Sequence, residues 1–176
     1  MNLNEYALWT DKTAMYPNIH EPHYLALGVV EETGEFVNAM KAGKPSDVMK
    51  EAGDVLWYAA RYVRLVLNRD FEDFVQAACQ NHSADSEIDP MQTHIAMAQL
   101  AGCEKKRLRD GETWDKEKRC AKEAEAAKGL LTIIAFVLNT ALMWHHISLD
   151  RIIEENVAKL TGRKEAGTIQ GDGDHR

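Results

Sequence analysis

Apolar residues recur at spacings of three and four through most of the chain, the pattern of helices that each bury one face. The interruptions divide it into elements. Residues 3 to 16 predict a first helix ended by Pro17, and the loop PNIHEP leads into a second helix from about His23 to Ala42. AGKPSD predicts a turn, with Ser46 or Asp47 as N-cap of a third helix from Val48 to about Leu67. NRDFEDFVQAACQ predicts a short amphipathic helix, and NHSADSEIDP reads as a linker. Pro90 opens a helix to Leu108, RDGETWDKE is a charged turn, and a long helical stretch from about Lys116 to His146, with a break expected near Gly129, precedes a last helix opening at Ser148. The glycine-rich tail GTIQGDGDHR is loop. The fold expected is all-α, a helical bundle.

Laid side by side, the two halves echo each other. YLALGVVEETGEFVNAMKAG parallels HIAMAQLAGCEKKRLRDG, GDVLWYAARYVRLVL parallels GLLTIIAFVLNTALM, and DFEDFVQAA parallels SLDRIIEEN. This predicts two tandem, degenerate repeats packed as a pseudo-dimer, with residues 1–82 as the first, 83–89 as linker and 90–176 as the second. Composition agrees with helices, since only 4 prolines and 11 glycines occur in 176 residues. A net charge of −7 argues against a binder of duplex DNA, whose affinity comes from clustered Lys and Arg. Cys79, Cys103 and Cys120 form no disulfide framework and suit a reducing cytoplasm. The start of the chain lacks a basic segment followed by an apolar one, and the apolar run Gly129 to Trp144 falls short of the ~20 residues a membrane span needs.

Two fragments resist the bland picture. EETGEF (Glu31 to Phe36) and KEAGDVLW (Lys50 to Trp57) each set two acids three residues apart beside an apolar stripe. Glu32 and Glu35 share a helix face bordering Leu25, Val29, Phe36 and Met40; Glu51, Asp54 and Tyr58 align next to Val55, Ala59, Tyr62 and Val66. Burying either stripe pulls its carboxylates inward. Ionised carboxylates taken out of water cost several kcal/mol each, and grouped ones repel. No Lys or Arg stands three or four positions after Glu32 to offset this. A divalent cation with a preference for hard oxygen ligands does, so the acids read as a metal cradle.

These residues resemble a known family, the MazG-like all-α nucleoside triphosphate pyrophosphohydrolases, whose signature is E-x-x-E followed by E-x-x-D. Here it reads Glu32-Thr33-Gly34-Glu35 and Glu51-Ala52-Gly53-Asp54. TAMYP (Thr13 to Pro17), YLALGVVEETGE and the C-terminal ENVAKLTGRKEAGTIQGDGDHR are similar to segments of bacterial and phage-type members. The resemblance implies hydrolysis of a (d)NTP to (d)NMP and pyrophosphate, with Mg²⁺, or Mn²⁺ in its place, held by Glu32, Glu35, Glu51 and Asp54. Glu31 or Glu35 is then the general base that holds the attacking water. Asn156, Lys159 and Arg163, at spacings of three and four on the last helix, reach the phosphates together; Arg176 closes over them, and Tyr58 meets a phosphate or the base. In the family the E-x-x-D helix is followed soon by the N-x-x-K-L helix, whereas here about a hundred residues separate Asp54 from Asn156. The expected arrangement is a division of labour: the first repeat keeps the acids, the second keeps the phosphate-binding tail, and Leu130, Ala127 and Ala78 stand near the places of Asp54, Glu51 and Asn156.

Other constellations rank lower. Cys79, His82, Cys103 and Cys120 make a poor zinc set. His20 and His23 border the acid helix, His145 and His146 suit a helix C-terminus, and Trp9 or Trp57 suits a base pocket. CEKKRLRDGETWDKEKR reads as a solvated turn. The rival to an enzyme of nucleotide-pool control, a candidate homo-oligomer as dimer or tetramer, is a non-catalytic helical nucleotide-binding or interaction module of the same fold. A ferritin-like carboxylate bundle lacks its E-x-x-H.

Overall fold

The computed structural model describes residues 1–17, 21–81 and 89–169. It contains helices α1 (Leu3–Trp9), α2 (Glu21–Ala42), α3 (Pro45–Leu65), α4 (Phe71–Asn81), α5 (Pro90–Asp110), α6 (Lys116–His145) and α7 (Leu149–Glu165), and no strand among the described residues. The all-α expectation holds. Residues 83–88 of the linker expected at 83–89, and residues 170–176 of the tail expected at 167–176, lie outside the described residues.

Boundaries depart from expectation for local reasons. α1 stops at Trp9 rather than near residue 16 and passes into a 3-10 turn, Thr10–Lys12. The Thr10 hydroxyl donates to the Ala7 carbonyl at 2.7 Å and the Thr13 hydroxyl to the Thr10 carbonyl at 3.1 Å, the kind of side-chain bond that ends helices. α3 opens earlier than expected, on Lys44 with Pro45 at its first position, where a missing N–H costs nothing. Gly43, at φ +69, supplies the left-handed residue after α2. Asp89 and Ser148 cap α5 and α7 through side-chain acceptors for the N–H groups of Met91 and Arg151. α6 runs unbroken through Gly129. A Cβ there would lie 2.9 Å from the Ala96 carbonyl oxygen, so this glycine serves a close helix crossing and not a break.

The most extensive pairings are α2 with α3 and α5 with α6. The shorter helices then exchange sides: α4, which follows α3, packs chiefly on α6, while α7, which follows α6, packs on α3. One apolar cluster joins both halves, with Phe36 of α2 meeting Phe136 of α6 edge to face at 5.9 Å. Burying such side chains contributes about 1.5–3 kcal/mol each. α6 is long and apolar enough to cross a membrane, but 67% of its most apolar window is buried in the fold, as a core helix requires.

A polar knot crosses the same core. Glu104 of α5, 3% exposed, accepts from the Tyr62 hydroxyl and from Arg107 Nε at 3.0 Å, and His23 of α2 stands 3.2 Å away. The Arg107 guanidinium lies 5.9 Å from the centre of the buried Trp114 ring. The segment expected to be a solvated turn is therefore partly interior; its alternating charges concealed Glu104, Arg107 and Trp114, which face the bundle once α5 extends to Asp110.

Candidate active site

Four helices supply the site. Glu32 and Glu35 come from the middle of α2 and Glu51 from α3, and each offers an oxygen within 4.8 Å of the others. An octahedral Mg²⁺ holds its oxygens about 3 to 4 Å apart, so the donor number, donor type and spacing fit one hard cation. Glu51 is 7% exposed, and Lys50 beside it stands 3.9 Å from its carboxylate. Glu31, next to Glu32, is exposed and outside this group.

Asp54 lies one turn after Glu51 and is held from α7. Asn156 Nδ2 donates to its Oδ1 at 3.0 Å, and the Lys159 ammonium pairs with its Oδ2. α7 can approach so closely because Gly53 has no side chain: a Cβ there would fall 2.9 Å from Asn156 Cβ. Asn156 itself is 2% exposed, and its Oδ1 accepts from the buried Tyr6 hydroxyl of α1 at 2.9 Å. Burial, and then the Asp54 charge, push the Tyr6 phenol well up, so it stays a neutral donor.

Crowding shows in Glu32. Burial first, then the charges of Asp54, Glu35 and Glu51, push its carboxyl up to about 8, against the pull of Lys159. A cation among these oxygens removes the cause of the repulsion.

A pocket of about 270 Å³ opens beside the acids, lined by Glu32, Asp54, Tyr58, Tyr24, Tyr16 and Trp57, with Arg163 and Ile169 toward the C-terminal side. Its aromatic wall is fixed. Trp57 Nε1 donates to Thr13 Oγ1 at 2.9 Å, and Arg61, 5% exposed, donates to the Tyr16 hydroxyl at 2.6 Å, pairs with Asp11 and Glu21, and lies 5.3 Å from the centre of the Tyr16 ring. The Tyr16 and Tyr24 rings stack at 4.4 Å, and the Tyr24 and Tyr58 hydroxyls are 3.3 Å apart. Gly28 leaves room for Tyr58, because a Cβ on it would overlap that ring.

The sequence-derived set thus comes together in part. Glu32, Glu35 and Glu51 form one cluster. Asp54, Asn156 and Lys159 form an adjoining one, and Tyr58 and Arg163 line the pocket. Arg176 lies outside the described residues, as does His20. Of the tryptophans weighed for a base pocket, Trp57 lines it, whereas Trp9 stacks on Tyr6. His23 turns to Glu104, and Cys79 and Cys120 are exposed while Cys103 is buried. Sequence reasoning missed Tyr6, Tyr24 and Arg61. Tyr24, one turn before Gly28 on α2, carried no spacing signal; Arg61, a charge inside the apolar stripe of α3, did.

Fold and site together define an all-α protein whose carboxylate cluster borders an aromatic pocket with basic groups at its edge. Residues 20–82, the stretch from α2 through α4, match the family model of the MazG nucleotide pyrophosphohydrolase domain. No curated protein and no solved structure matches the chain.

Proposed function

We propose that the protein hydrolyses a nucleoside or deoxynucleoside triphosphate to the monophosphate and pyrophosphate, with Glu32, Glu35, Glu51 and Asp54 as ligands of Mg²⁺. The observation that carries this reading is the set of three carboxylates within 4.8 Å beside a pocket walled by aromatic rings. Magnesium, or manganese in its place, supplies charge neutralisation at the phosphates and polarisation of the cleaved linkage. The protein supplies the rest. Trp57, Tyr16 and Tyr24 offer flat apolar faces on which a base stacks. Arg163, at the pocket edge, and Lys159 meet the triphosphate, the guanidinium by paired donors and the ammonium as a point charge. Tyr58 has a hydroxyl that stays protonated, since burial first and then its bond to Tyr24 push its pKa up, so it donates to a phosphate or base oxygen. Glu35 holds the attacking water as general base; membership of the cluster favours it over Glu31.

The same reading makes the chain a pseudo-dimer of repeats 1–82 and 90–176. Its support is the exchange in which α4 packs on α6 as α7 packs on α3. At the counterpart positions Leu130, Ala127 and Ala78 are buried and apolar, which leaves one site per chain. The setting is the cytoplasm, where such substrates are made and consumed.

Pyrophosphate release with Mg²⁺ across the common ribo- and deoxyribonucleoside triphosphates tests this. Release with at least one nucleotide, lost in Glu51→Gln, is expected. Folded protein that binds nucleotide without release points to the rival, a non-catalytic nucleotide-binding module.

A further inference from the structure

We propose that Tyr6 is a positioning residue for the metal cradle, acting through the Asn156 amide on Asp54. The inference rests on the carboxylate reading given above and adds to it a group on α1, an element outside the matched domain.

An asparagine amide has two unlike ends, and only one suits an anion. The ionised Asp54 accepts hydrogen bonds and donates none, so the NH₂ end of Asn156 has to face it. Rotated by half a turn, the amide would aim its own oxygen at the carboxylate and push it away. What holds the correct face is the demand at the other end. Asn156 is 2% exposed, so its Oδ1 cannot turn to water and needs a protein donor. The Tyr6 hydroxyl, on a fully buried ring, donates to it at 2.9 Å. That ring is clamped in its turn by Trp9 at 6.1 Å and Phe71 at 6.5 Å, so the hydroxyl has a fixed address.

A chain of two hydrogen bonds therefore runs from α1 through α7 to α3, spanning sequence separations of 150 and 102 residues. Tyr6 touches none of the carboxylates. Its effect is to choose which face of Asn156 meets Asp54, and thereby the direction in which Asp54 presents its remaining lone pairs. Groups that orient a metal ligand from behind change metal affinity by about 10- to 100-fold.

The test is Mn²⁺ titration without nucleotide, by calorimetry, on the full chain. Tyr6→Phe keeps the ring and removes the hydroxyl; it should weaken Mn²⁺ binding roughly tenfold. The same substitution in an Asn156→Ala background should cost nothing further, because its route is already cut. Equal losses in the two backgrounds, or no loss in either, overturn the proposal while leaving the metal cradle standing. A wild-type chain that binds no Mn²⁺ overturns the cradle and this inference together. Gly53→Ala approaches from the other side: its new Cβ, 3.0 Å from Asn156 Nδ2, displaces the amide and should weaken Mn²⁺ with Tyr6 intact. Should Tyr6→Phe fail to fold, water exchange of the Asn156 side-chain protons in the wild type decides, with slow exchange expected and rapid exchange contradicting the proposal.

Discussion

The ammonium of Lys159 on α7 pairs with the carboxylate of Asp54 on α3, 105 positions earlier in the chain. A lysine and a divalent cation cannot both own that Asp54 oxygen. On the proposed function, Lys159 would then turn from Asp54 to the triphosphate, where its charge would act on the reacting groups. Lys159→Met should accordingly bind Mn²⁺ several-fold more tightly in the absence of nucleotide, while pyrophosphate release drops by about 10²-fold. Calorimetry and a release assay on one preparation check both signs. Weaker metal binding in this variant would show that Lys159 supports the cradle and does not compete for it.

Glu32 makes the metal-free protein sensitive to pH. Its carboxyl is pushed from an ordinary 4.5 to about 8, first by burial and then by Asp54, Glu35 and Glu51. Through that window the folded state keeps a proton that the unfolded chain has released. The stability this contributes is full below the lower value and is lost as pH rises through the upper one. The midpoint of thermal unfolding without metal should therefore fall between about pH 5 and pH 8, and Glu32→Gln should flatten the fall. Metal uptake at neutral pH should expel a proton, visible as a binding heat that varies with the ionisation heat of the buffer, and in the variant this dependence should vanish.

Much of this site was legible before any coordinates, and the reason is periodicity. Glu32 and Glu35, and Glu51 and Asp54, lie three apart on helices whose apolar stripes fix which side faces inward, so their shared faces follow from spacing, although only Glu51 is buried and Glu35 stays exposed. What spacing cannot reach is the pairing of distant elements. Nothing in a one-dimensional pattern says that Tyr6 meets Asn156, or that α7 lies on α3 and not on its neighbour α6. Gly129 misled for a related reason: it looks like a weak point in a helix, yet it marks where α5 comes close, as Gly53 does for α7. Charge runs hid Glu104, since a buried acid with three partners has the same letters as a solvated one.

Among the acids the geometry separates strong from weak contributors. Glu35→Gln and Glu51→Gln each remove a member of the cluster and should cut turnover by about 10² to 10³, the scale seen when a charge-stabilising group is lost at a reacting centre. Glu31→Gln, exposed and outside the cluster, should stay within a few-fold of wild type. Stability should move the other way. Without metal, Glu51→Gln relieves repulsion in a residue only 7% exposed, so its unfolding midpoint should rise as its activity disappears. Parallel kinetics and thermal scans of the three variants check the order.

Gly28 offers a test of the aromatic wall that leaves every charged group in place. Alanine usually stabilises a helix relative to glycine, by roughly 0.5–1 kcal/mol. Here the sign should reverse, because the new Cβ would overlap the Tyr58 ring, which must then leave its place beside Tyr24. A displaced ring narrows the pocket in which, on the proposed function, a base would stack, but leaves the carboxylates where they were. Gly28→Ala should thus raise KM by about tenfold with kcat changed less, the pattern of lost binding shared by ground and transition states. Adding Tyr58→Leu removes the ring that is in the way, so the double variant should regain the stability lost in Gly28→Ala while its KM stays high. If KM recovers as well, the Tyr58 ring was an obstacle to the base and not part of its wall.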